Sequence, residues 1–221
     1  MNKKTVAIVS GGIDSVTMAY WLKNNGHQLH LLSFNYGQSH VKELSFAQRC
    51  ASQLNVQYDE IDLAIGKLLP GSALTDNRIP IPSGNYAPDT IKLTIVPNRN
   101  AIMLAIAYGI AAAENATGVA YAAHTGDHIV YPDCRPEFAS SFEQMERLAT
   151  EKPIALIVPF INFTKTDIVK LGHELGVPFK YTWSCYKGKD VHCGICSTCA
   201  ERKKAFIEAG IIDPTQYEGE N

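Results

Sequence analysis

Val6-Ala7-Ile8-Val9-Ser10-Gly11-Gly12-Ile13-Asp14-Ser15-Val16 decides how the rest of this chain is read. The apolar run 6–9 predicts a buried strand, and a helical pattern follows from 16 to about 25. Strand, glycine-rich turn and helix in that order aim several backbone N–H groups at one point. The helix N-terminus adds partial positive charge there, so the point suits an anion. Gly11 and Gly12 let the backbone approach phosphate with no Cβ in the way. Ser10 and Ser15 add hydroxyl donors. Asp14 is a carboxylate beside a phosphate nest, which is unfavourable without a bridging cation, and that points to a Mg²⁺-bound nucleotide. The lysine and spacing of a P-loop are absent.

Outward from this turn, further strands are expected over 29–34, 57–62, 119–123 and 154–160. Helices are expected over 40–54, 101–114 and 138–148, and from a cap at Thr164 or Thr166 onward, with Ile168, Val169, Leu171 and Leu175 as the apolar stripe. Strands alternating with helices predict βαβ units, an α/β class and a parallel sheet, with ligands beyond the carboxyl ends of the strands. Asn35-Tyr36-Gly37-Gln38 follows the second strand, so Phe34, Tyr36 and Gln38 are expected near the adenine. Residues 66–98 hold five prolines and little period, and a loop of that length reads as a flap over the site. Arg99 and Lys165 each stand at a helix start, the wrong end for a cation, which makes sense if they face an anion. His124-Thr125-Gly126-Asp127-His128 and Tyr131-Pro132-Asp133-Cys134-Arg135-Pro136-Glu137-Phe138 gather polar residues after the fourth strand.

The composition narrows the classes. The chain has 221 residues, 46% of them hydrophobic, enough for one large α/β domain with a small appendage. Net charge is −2 and no Lys/Arg block stands out, which argues against gripping long nucleic acid. The apolar run 101–113 is too short to cross a bilayer, and the first residues lack a secretory pattern, so a cytoplasmic protein with no membrane partner is expected. Six cysteines then point to metal or catalysis rather than disulfides. Cys185 is followed by seven residues, Cys193, two more, Cys196, two more and Cys199. Two-residue gaps let neighbouring thiolates turn onto one tetrahedral ion, and a closed four-sulfur site is structural. Cys193, Cys196 and Cys199 match the start of a ferredoxin run, but Lys203-Lys204 stand where its fourth cysteine belongs, so zinc is favoured over an iron–sulfur cluster. His192 could replace one thiolate, while Cys50 and Cys134 read as packing residues.

The Ser10–Ser15 hexad resembles the pyrophosphate loop of the N-type ATP pyrophosphatases, which cleave ATP to AMP and pyrophosphate and adenylate a carbonyl oxygen. With Asn35-Tyr36-Gly37-Gln38, Val96-Pro97-Asn98-Arg99-Asn100, Tyr131-Pro132-Asp133-Cys134-Arg135-Pro136-Glu137-Phe138 and the terminal cysteines, it resembles the 7-cyano-7-deazaguanine synthases over about residues 5–205. The resemblance implies a parallel-sheet, Rossmann-like adenine nucleotide alpha hydrolase domain over 1–180, with a zinc-binding helical region, 181–221, packed on it. It implies that ATP drives 7-carboxy-7-deazaguanine and ammonia to the amide and then the nitrile, through an adenylated carboxylate, with Mg-ATP, one structural zinc per chain and a homodimer. On that reading Ser10, Gly11, Gly12, Ile13, Asp14, Ser15, Phe34, Tyr36 and Gln38 bind ATP. Asp14, Ser15, Arg99 and Lys165 are catalytic, and Arg99, His124, Asp127, Tyr131, Asp133 and Arg135 bind the acid. No nucleophile is needed.

The chain departs from the family pattern in two places. A Glu-Thr-Asp-Phe-Ser-Gly run is usual before Tyr131-Pro132, and here His124-Thr125-Gly126-Asp127-His128-Ile129-Val130 stands instead. Asn98 occupies a position that is often glycine. These changes leave room for an enzyme that stops at the amide or joins the activated acid to another amine. A tRNA-modifying enzyme of the same chemistry and a non-enzymatic zinc-dependent binding module are the readings from other classes.

Overall fold

In the computed structural model, which describes residues 3–84, 92–187 and 190–219, the first apolar run becomes a strand paired on both edges. β1 (Lys3–Ile8) lies parallel to β2 (His27–Asn35) on one side and to β4 (Gly118–Ala120) on the other. β3 (Gln57–Asp62) and β5 (Ala155–Ile157) complete a parallel sheet in the order β3-β2-β1-β4-β5. Period-two alternation sends Val6 to one face of the sheet and Ala7 to the other. On the Ala7 face pack α1 (Ile13–Asn24), α2 (Glu43–Leu54) and α5 (Lys165–Glu174). On the Val6 face pack α3 (Arg99–Ala113) and Phe142 of α4 (Pro136–Ala149). The strand order reverses at β1, so a crevice opens beyond the carboxyl ends of β1 and β4.

α3 buries Met103, Leu104, Ala107, Tyr108 and Ala111 in the core. Its fifteen residues reach about 22 Å at 1.5 Å each, short of a bilayer's hydrocarbon thickness. β4 and β5 are shorter than their apolar runs because Pro159 lacks an N–H and the chain after Ala120 turns toward the crevice; Tyr121 N–H still reaches the Ile157 carbonyl at 3.2 Å. α2 starts at Glu43, since residues 40–42 form a turn closed by Glu43 N–H to the His40 carbonyl.

The stretch read as a flap is anchored where it is described, and its residues 85–91 lie outside the described residues. Ser72, Ala73 and Leu74 are buried, and Ser39 N–H reaches the Leu74 carbonyl at 2.8 Å. Ser83 bridges to Cys196, and Gly84 N–H donates to the Ile195 carbonyl, which ties this stretch to the cysteine loop. The C-terminal region is joined to the main core as well. α6 (Ser197–Ala209) contributes Ala205 and Phe206 to the Ala7-face core, and Trp183 N–H donates to the Gly11 carbonyl at 2.8 Å.

Candidate active site

A cleft of about 250 Å³ lies at the carboxyl ends of the strands. Its phosphate end is the Ser10–Ser15 turn. Gly11 has φ +88°, and a Cβ there would lie 2.3 Å from the Glu43 carbonyl oxygen, so only glycine lets α2 pack against the turn. The Ser15 hydroxyl accepts from Ser10 N–H at 3.2 Å and lies 3.2 Å from the Ser10 hydroxyl, which holds the turn in shape. No side chain caps α1 at Gly12, so its first-turn N–H groups stay available to an anion. By contrast α5 is closed by a capping box between Thr164 and Asp167.

Lys165, the first residue of α5, donates to Asp14 Oδ2 at 2.5 Å and lies 3.5 Å from Glu201 Oε2 of α6. Burial would discharge this lysine, but Asp14, Glu201 and Asp127 hold its pKa above the ordinary value. Burial pushes Asp14 the other way, and Lys165 and His124 overcome that, leaving its pKa lowered. Its second oxygen, Oδ1, is buried with no partner. An ionised carboxylate with an orphaned oxygen beside a phosphate nest fits a Mg²⁺ ligand. His124 caps the 3-10 turn Thr125–Asp127 through its Nδ1, which accepts from Gly126 N–H at 3.1 Å. Its Nε2 lies 3.5 Å from both Asp127 and Lys165. His124 and Asp127 therefore belong to the phosphate end.

At the other end Arg99 donates to the Tyr36 hydroxyl at 3.0 Å. Burial opposes its charge, and Tyr36, Tyr131, Tyr186 and Asp133 more than restore it. Phe34, Tyr36 and Tyr131 line the cleft, and Ile13 forms its floor while packed in the core. Three of the residues singled out from sequence turn elsewhere. Gln38 is buried and clamps its own turn, accepting from Tyr36 N–H at 2.9 Å and donating to the Phe34 carbonyl at 3.0 Å. Asp133 accepts from Asn100 N–H at 2.9 Å, near the start of α3. Arg135 donates to the His128 carbonyl at 2.9 Å on the surface. Cys134 lies on the cleft wall with its thiol pKa raised by burial, inert as a nucleophile.

Sequence reasoning passed over His40, Glu43, Tyr186, Thr198 and Glu201, all of which line the cleft. For the last two a signal existed. Thr198 and Glu201 are three apart on α6, so they share a face, while Cys199 and Arg202 point into the buried side.

The four terminal cysteines are buried with sulfurs within 4.8 Å of one another. A tetrahedral ion with sulfurs at 2.3 Å needs them about 3.8 Å apart; Cys193 and Cys199 are 4.0 Å apart. Hydrogen bonds from Cys185 and Cys199 pull the Cys196 thiol far below its usual pKa, and the same contact pushes Cys185 up to about 11. Four crowded thiols cannot all ionise alone, and a divalent soft cation removes that conflict. His192 stands beside the cluster with Nε2 accepting from Ser184 N–H at 3.0 Å, so it serves as a neighbour of the sulfurs.

The model of the queuosine biosynthesis protein QueC family matches residues 4–210. The chain is 52% identical over 221 residues to a 7-cyano-7-deazaguanine synthase of Rhizobium johnstonii, covering 99% of this chain and 93% of that one. It is 53% identical over 218 residues to the enzyme of that name from Brucella ovis, covering 97% and 94%. Among solved structures, an NMN synthetase from Francisella tularensis superposes with a TM-score of 0.54 at 16% identity, over 96% of this chain and 79% of that one. An NH3-dependent NAD synthetase from Campylobacter jejuni gives 0.50 at 17% identity, over 82% and 67%. These two likenesses speak to the fold.

Proposed function

The chain belongs to the QueC family of queuosine biosynthesis proteins, and on that premise we propose that it is an ATP-dependent 7-cyano-7-deazaguanine synthase. The observation that carries the chemistry is the Asp14–Lys165 pair set into an uncapped helix N-terminus at the floor of the cleft. The α1 N–H groups and the Ser10 and Ser15 hydroxyls receive the β- and γ-phosphates and Lys165 neutralises charge as pyrophosphate leaves; Asp14 would hold Mg²⁺, which would supply further neutralisation of the phosphates when bound. Arg99, charged among three tyrosines, faces the acid.

The carboxylate oxygen of 7-carboxy-7-deazaguanine attacks the α-phosphorus, and the bond to pyrophosphate breaks. Ammonia attacks the acyl carbon, AMP leaves and a proton is released, giving the amide. The amide oxygen then attacks the α-phosphorus of a second ATP, pyrophosphate leaves and one N–H proton is released; departure of that oxygen on AMP, with loss of the second N–H proton, leaves the nitrile. Every activation is a displacement at phosphorus, so no side chain forms a covalent bond. Zinc on the four cysteines is structural, and the same reading includes a cytoplasmic homodimer.

The test is turnover of ATP, ammonia and 7-carboxy-7-deazaguanine followed by mass spectrometry. Nitrile with AMP and pyrophosphate is expected. Accumulated amide means the reaction stops after one activation, and no AMP overturns the reading.

A further inference from the structure

The carboxylates lining the cleft, among the described residues, are Asp14, Glu43, Asp127 and Glu201. Three of them gather around Lys165 and His124 at the phosphate end. Glu43 stands apart, at the Arg99 end, on the first residue of α2. We propose that Glu43 reads the N1–H and 2-amino donors of the deazaguanine ring, and so sets the specificity for the acid. This rests on the function proposed above.

Three observations carry the assignment. First, Glu43 is held in place: its Oε1 accepts from the Gln38 amide at 3.2 Å and lies 3.4 Å from His40 Nε2. The side chain keeps 13% exposure, and it lines the cleft. An acceptor fixed from behind and open in front is what recognition of a planar donor edge requires. Second, Arg99 and Glu43 line the same cleft, so it offers a fixed donor and a fixed acceptor. A guanine-type edge presents a ring carbonyl oxygen and then two N–H donors in the complementary order. With the carboxylate of the acid turned toward the phosphates, that edge lies on the far side of the ring, among Tyr36, Tyr131 and Tyr186. Third, the competing carboxylate, Asp133, is not part of the cleft lining and turns to Asn100 N–H near the start of α3. Burial also keeps Glu43 a poor anion until a donor reaches it, with its pKa pushed up to about 8.

The experiment is steady-state kinetics of the holoenzyme and Glu43→Gln, with 7-carboxy-7-deazaguanine and with its analogue lacking the 2-amino group. Glu43→Gln should raise KM for the acid ~10- to 100-fold, the effect of losing a buried charge-assisted contact. KM for ATP and ammonia should stay within about twofold, and the variant should no longer discriminate between the acid and its analogue. If the variant does not fold, wild type alone decides: it must prefer the acid over the analogue by a similar factor. An unchanged KM for the acid overturns the assignment. So does a rise confined to ATP, which would make Glu43 an adenine contact, or to ammonia, which would make it a base. A wild type that forms no AMP overturns the functional reading and this assignment with it, whereas normal wild-type turnover beside an unaffected variant overturns the assignment alone.

Discussion

Lys165 Nζ lies 2.5 Å from Asp14 Oδ2, so two charges 151 positions apart in the chain meet at the floor of the cleft. Lys165 opens α5, the unfavourable end for a cation, whereas Asp14 in the first turn of α1 suits the helix dipole but would repel a phosphate bound at the same turn unless a cation bridges them. Asp14→Ala should therefore abolish AMP formation, at a loss of about a thousandfold or more in turnover, by removing the carboxylate proposed to hold Mg²⁺. Lys165 keeps Glu201 and His124 as neighbours, so the variant should stay folded. Circular dichroism and an AMP assay decide; parental turnover would remove Asp14 from the metal role.

Gly11→Ala tests the turn by a different route. The added methyl meets the Glu43 carbonyl oxygen at 2.3 Å and the Ala47 nitrogen at 2.9 Å, both backbone atoms that cannot swing away. With φ at +88° the strain adds to the clash. A loss of several kcal/mol in urea denaturation is expected, of the size seen when a tightly packed backbone is forced apart. Parental stability would mean that α2 shifts freely against the turn.

Metal removal should disturb catalysis as well as stability. α6 begins at the cysteine cluster and carries Thr198 and Glu201 to the cleft, so losing the ion releases one wall of the site. Purified protein is expected to hold one zinc per chain by elemental analysis, and Cys193→Ser should lower both the melting temperature and AMP formation. Iron with acid-labile sulfide, or no metal, would contradict the assignment.

Asn98 shows how a departure in sequence can be silent in structure. It caps α3 at φ +58°, a left-handed position that glycine and asparagine both tolerate. Asn98→Gly should leave stability within about 0.5 kcal/mol, whereas Asn98→Val should cost about 1–2 kcal/mol. Denaturant midpoints of the two variants check this, and equal losses would refute it.

The fold was legible because its determinants are local: apolar β-branched runs, one turn that demands glycine, and cysteines at fixed spacing. Asp14, Arg99 and Lys165, each odd in its own neighbourhood, are brought together by the fold on one cleft. Gln38, Asp133 and Arg135, also expected at the ligand, are not in the cleft lining and bond nearby backbone groups. A sequence lists polar residues without saying which backbone groups will claim them. Glu43 and Glu201 show the converse. Each sits on a helix where a solvated carboxylate is ordinary, and tertiary packing turns it into the cleft.

Glu43 also gives the apoenzyme a specific pH dependence. Burial pushes its pKa from an ordinary 4.5 up to about 8. The folded state thus holds this proton more tightly than the unfolded chain does. The associated stability is fully present below pH 4.5 and is lost as pH rises through 8. Its neighbours do not titrate in that window: His40 is held neutral with a pKa near 3, Tyr36 is raised to about 12, Arg99 stays charged and Gln38 has no charge. Glu43→Gln keeps the shape without the ionisation. Urea denaturation without substrate should therefore show the variant gaining on wild type between pH 5.5 and 8.5, by on the order of a few kcal/mol at most. The same proton couples to binding, because ring N–H donors favour the ionised carboxylate. KM for the acid should fall as pH approaches 8 in wild type and stay flat in the variant. Stability curves that run parallel across this range would show that Glu43 does not titrate there.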